Sequence, residues 1–361
     1  MNKLIFVGAD PDSKNISHPG GQITASKNII EIFKEKGFEV DIVDTVQNSF
    51  PPPPFNQKIY KGLKRIIKVF KLASSKSYSA AFIFSGSGFS FVERIFLSII
   101  CNIFGLKTFL FLRSGHLISL IKKSSFFKII FKLLINIPDF ICVQGLNWKS
   151  KLEKLNRSKK ILIVRNWINE IPYKYSKNNH LKSKEIKFIF VGWLVKEKGI
   201  CELIEAAKIL KNKGLVFKLD VIGDGTLFNQ IKHEINKNKL ANYVETHGWC
   251  NKNKTFDMYS IADVFILPSY AEGFPNSLLE AMHFSLPCIA TDVGGISDSI
   301  KTNKNGFLIK PRSVSDIVQS MSKYIENKSL IAKHSDAIKK VLDENHNKDK
   351  NFNELFRHIS P

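Results

Sequence analysis

Residues 272–282 read EGFPNSLLEAM and follow an apolar run at 264–267. The run is typical of a buried strand, and the apolar spacing after Pro275 predicts an amphipathic helix. Proline suits the first turn of a helix, so we expect the helix to begin near Pro275, with Asn276 or Ser277 as its cap. The segment therefore predicts a strand, a loop and a helix in succession, which is the repeating unit of a parallel sheet.

Two carboxylates flank the start of this predicted helix. Glu272 stands in the loop before it, and Glu280 lies about one turn inside it. The free backbone N–H groups at a helix start bind anions, and phosphate suits them well. Carboxylates accept hydrogen bonds from hydroxyl groups. The arrangement predicts a pocket for a nucleotide-sugar, with the diphosphate on the helix start and hydroxyls on the two carboxylates.

The two glutamates, with seven residues between them that include Gly-Phe-Pro-Asn-Ser, resemble the signature of the retaining family 4 glycosyltransferases, which have the GT-B fold. Three further segments resemble motifs of that family in the same order: VIGDG at 221–225, PCIATDVGGI at 287–296 and NGFLI at 305–309. The resemblance is dense from about residue 188 to 311 and thinner before it.

Strand-like apolar runs alternate with helical patterns along both halves of the chain, which predicts two α/β domains, each with a doubly wound parallel sheet. The predicted strands lie at 4–7, 39–43, 81–84, 108–112, 140–143, 161–164, 188–191, 218–222, 243–246, 264–267, 288–290 and 305–309. The predicted helices lie at 22–36, 58–73, 91–104, 126–137, 148–155, 201–211, 227–236, 277–284 and 347–359.

We place a Rossmann-like domain at residues 1–165, a polar linker at 166–187, a second Rossmann-like domain at 188–345 and a C-terminal helix within 346–361. The proline run at 51–54 is a stiff linker inside the first domain. The resemblance implies that the two domains face an interdomain cleft. It also implies that the last helix packs back on the N-terminal domain.

The bulk sequence limits the protein class. At 361 residues the chain is long enough for two complete cores, and its richest apolar segments, 95–106 and 126–137, are shorter than a membrane span. The N-terminus lacks the apolar core and cleavage site of a signal peptide. Five cysteines, at 101, 142, 201, 250 and 288, have neither disulfide nor metal spacing. We therefore expect a cytoplasmic protein with reduced thiols.

The formal net charge of +22 is concentrated in the first half, where residues 1–170 carry 26 Lys/Arg and 11 Asp/Glu. Between residues 45 and 138 the only acid is Glu93, against 14 Lys/Arg. Residues 58–71 and 122–134 both have the pattern of a basic amphipathic helix, which suits an anionic membrane surface. The alternative is a solvated charged face over a core. No nucleic-acid-binding motif accompanies the charge, so we expect no nucleic-acid partner.

Further candidate residues follow predicted strands, where open parallel sheets bind ligands. Gly20 and Gly21 open the first helix and permit close approach to a phosphate. Arg113 and His116 follow the strand at 108–112. The resemblance implies that His116 approaches the donor sugar, whereas Arg113 either reaches phosphate or pairs elsewhere.

The segment GWLVKEKG at 192–199 departs from the family pattern. The family has an arginine where this chain has Trp193, and an indole offers one N–H in place of a bidentate guanidinium. The family's following lysine is present as Lys198. The resemblance implies that Lys198 binds the donor diphosphate, with Lys196 or Arg113 as a possible substitute for the missing arginine.

The resemblance implies catalytic roles for Glu272 and His116. The implied donor-binding residues are Gly20, Gly21, Arg113, Lys198, Gly273, Phe274, Pro275, Asn276, Ser277, Leu278 and Glu280. No His/Cys/Asp cluster has metal-ligand spacing, so we expect neither a metal nor a cofactor, with the nucleotide-sugar as co-substrate.

The implied activity is retaining sugar transfer from a UDP-sugar to a hydroxyl of a glycan acceptor. The basic N-terminal half suits a lipid-linked acceptor, as in bacterial capsule, O-antigen, lipopolysaccharide or exopolysaccharide synthesis, by a protein peripheral on the inner face of the cytoplasmic membrane. One alternative is a non-catalytic GT-B binding protein in which Trp193 marks a lapsed diphosphate site. Another is a GT-B sugar-nucleotide epimerase or phosphorylase.

Overall fold

A computed structural model describes residues 3–13, 21–46, 54–155, 160–169, 171 and 185–359, with the backbone alone at 118, 119 and 122. The chain divides into two compact units, the first formed by residues 1–169 and 348–361 and the second by residues 170–347. Each unit contains a six-stranded parallel sheet. The predicted Gly20, most of the proline run at 51–54 and most of the linker at 166–187 lie outside the described residues.

The sheet of the first unit has the strand order β2-β1-β3-β4-β5-β6. Its strands are β1 (Lys3–Gly8), β2 (Glu39–Asp44), β3 (Ala80–Ser85), β4 (Lys107–Leu112), β5 (Phe140–Val143) and β6 (Ile161–Ile163). Its helices are α1 (Gly21–Glu35), α2 (Phe55–Ser74), α3 (Phe89–Ile103), α4 (Gly115–Lys123), α5 (Ser125–Leu134), α6 (Leu146–Leu155) and, at the C-terminal end, α14 (Lys348–Ile359).

The sheet of the second unit has the order β12-β11-β10-β7-β8-β9. Its strands are β7 (Ile186–Val191), β8 (Phe217–Ile222), β9 (Val244–Gly248), β10 (Val264–Leu267), β11 (Cys288–Thr291) and β12 (Gly306–Ile309). Its helices are α7 (Ile200–Asn212), α8 (Phe228–Lys237), α9 (Lys252–Ile261), α10 (Asn276–His283), α11 (Ile296–Ser299), α12 (Val314–Glu326) and α13 (Ser329–Asn345).

Aromatic side chains fill the core of the first unit on one face of its sheet. Phe82, on the fully buried β3, stacks on Phe109 of β4 at 4.7 Å and contacts Phe33 of α1 at 4.6 Å between ring centroids. Phe352 of α14 lies 5.8 Å from Phe33, and the Arg165 backbone N–H donates to Asn351 Oδ1 at 2.8 Å. The C-terminal helix therefore completes the core of the first unit, although it follows the second unit in sequence.

All twelve predicted strands are present, and most of their bounds differ by one or two residues. One helix prediction was wrong. The basic pattern at 122–134 is not a single helix, because α4 ends at Lys123 and α5 begins at Ser125. The side chain of Ser124 accepts a hydrogen bond from the backbone of Phe127 at 3.2 Å and caps α5. A serine that bonds the backbone two or three residues ahead favours a new helix start over a continued helix.

A buried cluster of three charged side chains joins α2 to α3. Glu93 accepts from Arg65 Nε at 2.7 Å and from Arg65 Nη2 at 3.1 Å, and Arg94 Nη1 lies 2.8 Å from Glu93 Oε1. All three residues are less than one tenth exposed. Arg94 also donates to the carbonyl of Phe84 at 3.2 Å. The single carboxylate thus pairs with two guanidinium groups and compensates one of their two positive charges.

Within the described residues, none of the helices has both the length and the apolar content that crossing a membrane requires.

We predict that Glu93→Gln lowers the thermal unfolding midpoint of the protein. The substitution keeps the side-chain volume but leaves Arg65 and Arg94 buried without a counter-charge, a loss of about 3–5 kcal/mol for a buried pair. Circular dichroism during heating measures the midpoint. Glu205→Gln is the matched control, because Glu205 forms an exposed pair with Lys208 at 3.3 Å and exposed pairs contribute little. Equal midpoints for the two variants would contradict the prediction.

Candidate functional site

The predicted strand, loop and helix around residues 272–282 are β10, the loop 268–275 and α10. The helix starts at Asn276, and its N-cap is Pro275, with φ −74° and ψ 132°. The expectation that Asn276 or Ser277 caps the helix was therefore wrong. Proline has no side-chain acceptor, so the capping residue does not occupy the backbone N–H groups at this helix start.

An ion pair stands directly before this helix. Lys198 Nζ lies 2.5 Å from Glu272 Oε1, and the two side chains are 24% and 11% exposed. Lys198 ends a short 3₁₀ helix, Lys196–Lys198, at the carboxyl end of β7, while Glu272 follows β10. The fold thus brings together two predicted site residues that lie 74 positions apart.

Backbone contacts at Gly199 place Lys198 beside the loop of Glu272. Gly199 has φ +69°, and a Cβ there would come within 2.1 Å of the Pro268 carbonyl oxygen. The backbone N–H of Tyr270 donates to the carbonyl of Glu197 at 2.8 Å. A side chain at position 199 would separate the two loops, so the ion pair depends on glycine there.

Gly294 supports the same loop from β11. Its φ is +61°, and an added Cβ would lie 2.2 Å from the carbonyl oxygen of Glu272 and 2.3 Å from that of Gly273. The next residue, Gly295, donates its N–H to the Gly273 carbonyl at 2.8 Å. The backbone that carries Glu272 is therefore held from both sides.

The predicted glycine turn after β8 packs against the segment that contains Trp193. A Cβ at Gly223 would lie 1.8 Å from the carbonyl oxygen of Gly192, and one at Gly225 would lie 2.6 Å from that of Leu194. The backbone N–H of Leu194 donates to the Asp224 carbonyl at 2.9 Å. These contacts fix the backbone on both sides of Trp193 at the carboxyl edge of the sheet.

Most residues between Gly273 and Leu278 are buried. Phe274 is 5% exposed and lies 4.6 Å from the ring of His346, and Leu278 is fully buried. Their side chains are therefore part of the core. Binding of a ligand by the backbone of this segment stays a prediction.

Glu280 lies one turn into α10 and contacts a buried tyrosine. The Tyr259 hydroxyl donates to the Ser277 carbonyl at 3.0 Å and lies 3.5 Å from Glu280 Oε2. Burial raises the pKa of Glu280 from 4.5 to about 7, although the charge of Lys252 and the tyrosine hydroxyl act in the opposite direction. The carboxyl group therefore changes protonation near neutral pH. Sequence reasoning missed both Tyr259 and Lys252, because neither belongs to a motif.

The candidates in the first unit form a separate group at the carboxyl end of β4. The Asn166 side-chain oxygen accepts from Arg113 Nη2 at 2.8 Å and from Gln144 at 2.9 Å. The Arg113 guanidinium also lies over the ring of Phe84 at 4.5 Å, and burial lowers the pKa of Arg113 from 12.5 to about 10. The sequence left two outcomes open for Arg113, contact with phosphate or pairing elsewhere. In the structure Arg113 pairs within its own unit.

The remaining two first-unit candidates are at helix starts. His116 is exposed in the first turn of α4, and Gly21 is the first residue of α1. These positions agree with the predicted placement at strand ends, and their roles stay predictions.

The raised pKa of Glu280 predicts a pH-dependent stability. Between pH 4.5 and 7 the folded protein holds a proton at Glu280 that the unfolded chain releases, so stability falls as pH rises through this interval. Each pKa unit corresponds to about 1.4 kcal/mol, and partial exposure reduces the effect. We therefore expect the free energy of unfolding to fall by about 1–3 kcal/mol over this interval. Thermal midpoints of the wild type and Glu280→Gln, measured from pH 5 to 8, test this. As pH rises, the midpoint of the wild type should fall relative to that of the variant. A constant difference between the two midpoints would contradict the assignment.

Comparisons with known proteins agree with this architecture. Residues 173–341 match the family Glycosyl transferases group 1. The sucrose-phosphate synthase of Thermosynechococcus elongatus superimposes over 99% of both chains with a TM-score of 0.81 at 15% sequence identity, which establishes a shared fold.

Two bacterial relatives match part of the chain. The capsular polysaccharide biosynthesis glycosyltransferase CapM of Staphylococcus aureus is 30% identical over 164 residues, which cover 42% of this chain and 42% of CapM. The UDP-Gal:alpha-D-GlcNAc-diphosphoundecaprenol alpha-1,3-galactosyltransferase of Escherichia coli is 30% identical over 153 residues, 42% of this chain and 39% of that protein. The matched stretch thus spans about two fifths of each relative. Residues 173–341 are therefore similar to the glycosyl transferases group 1 family, and the fold of the chain is GT-B.

Proposed function

We propose that this protein is a retaining glycosyltransferase that moves a sugar from a UDP-sugar to a hydroxyl group of a lipid-linked glycan during bacterial surface polysaccharide synthesis. The observation that carries the proposal is the Lys198–Glu272 ion pair at the start of α10. It combines a cation, a helix start whose N-cap is a proline and a carboxylate, which are the groups needed for a diphosphate next to a sugar. CapM and the galactosyltransferase of Escherichia coli support the substrate class by their named activities.

The donor diphosphate in this proposal replaces Glu272 as the partner of Lys198. The ammonium group and the backbone N–H groups of α10 then bind the diphosphate, since both favour negative charge. Glu272 is released from the ion pair and accepts hydrogen bonds from donor-sugar hydroxyls. Glu280 accepts hydrogen bonds from the ribose, for which its ionised form is the better acceptor.

Trp193 leaves the diphosphate without the arginine of the family pattern. Lys196 is exposed in the same 3₁₀ helix as Lys198 and is the second cation that we assign to the diphosphate. Arg113 is less suited, because its guanidinium already donates to Asn166 and lies on Phe84. The proposal therefore relies on two lysines and the helix start to balance the negative charge of the leaving diphosphate.

We propose front-face displacement as the reaction. The bond between the anomeric carbon and the phosphate oxygen breaks, and the acceptor hydroxyl oxygen forms a bond to the same face of that carbon. The hydroxyl proton passes to the departing diphosphate oxygen. Glu272 orients the sugar and stabilises the developing positive charge, and Lys198 stabilises the leaving diphosphate. The transfer needs no cofactor and no metal in this scheme.

A face of the first unit has the composition of a membrane-binding surface. We call the exposed side chains of α2, α3 and α5 the apolar–basic face. Thirteen of the eighteen described large apolar side chains that are exposed lie on these helices, led by Phe126 (74%), Ile103 (73%) and Leu133 (71%). The other ten are Phe55, Ile59, Tyr60, Leu63, Ile67, Phe70, Phe89, Val92, Phe96 and Ile129. Such a concentration is unusual on a monomeric soluble protein.

The three helices that carry this face are neighbours in the fold. Phe55 of α2 lies 6.2 Å from Phe89 of α3, and Phe91 of α3 lies 5.2 Å from Phe131 of α5. The face includes the exposed lysines Lys61, Lys64, Lys68, Lys71, Lys128 and Lys132.

The charge of the face is uniformly positive. The single acid between residues 45 and 138, Glu93, is buried between two arginines, so the described residues of this segment present no carboxylate to solvent. Apolar side chains among lysines, without acids, favour an anionic lipid surface over a solvated face. We therefore propose a peripheral position on the inner face of the cytoplasmic membrane, where a lipid-linked acceptor would be within reach.

The transferase proposal predicts sugar incorporation that depends on Glu272. Purified protein with bacterial membranes is incubated with common UDP-, GDP- and ADP-sugars, and radiolabel in the lipid extract is counted. We expect incorporation from one UDP-sugar and a loss of at least about 100-fold in Glu272→Ala, the size seen when a group acting on the transition state is removed.

Glu326→Ala is the matched control for that assay, because Glu326 is an exposed carboxylate of the same unit. It should transfer sugar at the wild-type rate. A folded wild-type protein that binds none of the donors would contradict the proposal and favour a lapsed diphosphate site with Trp193 as its cause.

The membrane proposal predicts binding to anionic vesicles that depends on lysines of α2. Lys61→Glu with Lys64→Glu should weaken binding to phosphatidylglycerol vesicles by roughly 30-fold or more, at about 1 kcal/mol for each lysine near the surface. Vesicle co-sedimentation measures the binding, which should also decrease with salt.

Lys237→Glu with Lys340→Glu makes the same charge change on exposed helices of the second unit. We expect this control to bind vesicles nearly as the wild type does. Equal losses in the two double variants would indicate a response to net charge alone and would contradict the assignment to the apolar–basic face.

A further inference from the structure

A histidine and two carboxylates meet on one face of the second sheet, outside the ion pair of Lys198. Asp220 is on β8, and Glu245 and His247 are on β9, the edge strand. Asp220 and Glu245 are register partners, so their side chains project from the same face. Asp220 thus meets two residues that lie 25 and 27 positions later in the sequence, which is why the spacing indicated no metal site.

A β-bulge places His247 beside them. Thr246 pairs with Val221 and Gly248 pairs with Ile222, which leaves His247 as the extra residue of β9. Bulges redirect a side chain relative to the regular pleat. His247 Nε2 lies 2.7 Å from Asp220 Oδ1, and Nδ1 lies 3.7 Å from Glu245 Oε1. One ligand atom from each of the three residues lies within 4.8 Å of the other two.

The cluster has more negative charge than its neighbours compensate. With a neutral imidazole the three side chains carry two negative charges, and with an imidazolium they carry one. Among the described residues, neither Asp220 nor Glu245 forms an ion pair with a lysine or an arginine. Lys218, two positions before Asp220 on the same face, donates instead to the Asn242 carbonyl at 2.7 Å. A divalent cation would balance the two carboxylates.

We propose that Asp220, Glu245 and His247 bind a divalent first-row transition metal ion, with Zn²⁺ as the representative. A ring nitrogen and two carboxylate oxygens are a ligand set typical of such ions, whereas Mg²⁺ prefers oxygen ligands alone. The ion takes the place of the proton between His247 and Asp220. Because Glu245 is 75% exposed, water completes the coordination from the solvent side. The site links the edge strand β9 to β8 and is separate from the proposed sugar transfer.

The test is calorimetric titration of Zn²⁺ and Mg²⁺ into the full-length protein, with any affinity tag removed. A Cys201→Ser background is used throughout, since Cys201 is partly exposed and the other four thiols are buried. We expect one Zn²⁺ for each chain and much weaker binding of Mg²⁺. His247→Gln and Glu245→Gln should each weaken Zn²⁺ binding by more than about tenfold.

The control is His233→Gln, which changes an exposed histidine of α8 in the same unit and should bind Zn²⁺ as the background does. Zn²⁺ should also raise the thermal midpoint of the background and of this control, but not of the two cluster variants. Circular dichroism shows whether each variant is folded. Glu245→Gln changes an exposed position, so it keeps the test valid if His247→Gln does not fold. Zn²⁺ binding that is absent, or equal in the background and in folded cluster variants, would overturn the proposal.

Discussion

Close backbone contact at glycines is the constraint on which the second unit depends. Gly199, Gly223 and Gly294 each lie where a Cβ would come within about 2.2 Å of a carbonyl oxygen of a neighbouring loop. All three have positive φ, where residues other than glycine are strained. The contacts hold the loops that follow β7, β8, β10 and β11 against one another. Lys198 and Glu272 form an ion pair because the backbones that carry them have no freedom to separate.

Partial burial gives the charged groups of this site their character. Lys198 and Glu272 are mostly removed from water, so their mutual attraction is stronger than that of an exposed pair. Among the described residues Glu280 forms no ion pair with a lysine or an arginine, and burial raises its pKa to about 7. One carboxylate thus pairs with a lysine, while the pKa of the other lies near neutral pH. A ligand that brings hydroxyl groups to Glu280 and negative charge to Lys198 would satisfy both.

The first unit separates its charges in a different way. Its single acid between residues 45 and 138 is enclosed with Arg65 and Arg94, and its lysines remain on the outside among apolar side chains. The buried carboxylate pairs with both guanidinium groups, which the packing of α2 on α3 would otherwise leave without a counter-charge. The consequence is a face without negative charge. The same residue therefore contributes to the stability of the core and to the electrostatics of the surface.

The local pattern of the sequence determined the strands, the two α/β halves and the segment around Glu272, because apolar periodicity and glycine turns depend on neighbouring residues. It could not determine the break at Ser124, where a side-chain cap competes with a continuous amphipathic pattern. Nor could it determine the partners of Arg113 and Glu280, since Asn166 and Tyr259 reach them only through the packing of distant elements. The meeting of Asp220, Glu245 and His247 likewise required the register and bulge of β8 and β9. Sequence fixes what each segment is, whereas contacts between segments arise from tertiary structure, because they depend on which strands become neighbours.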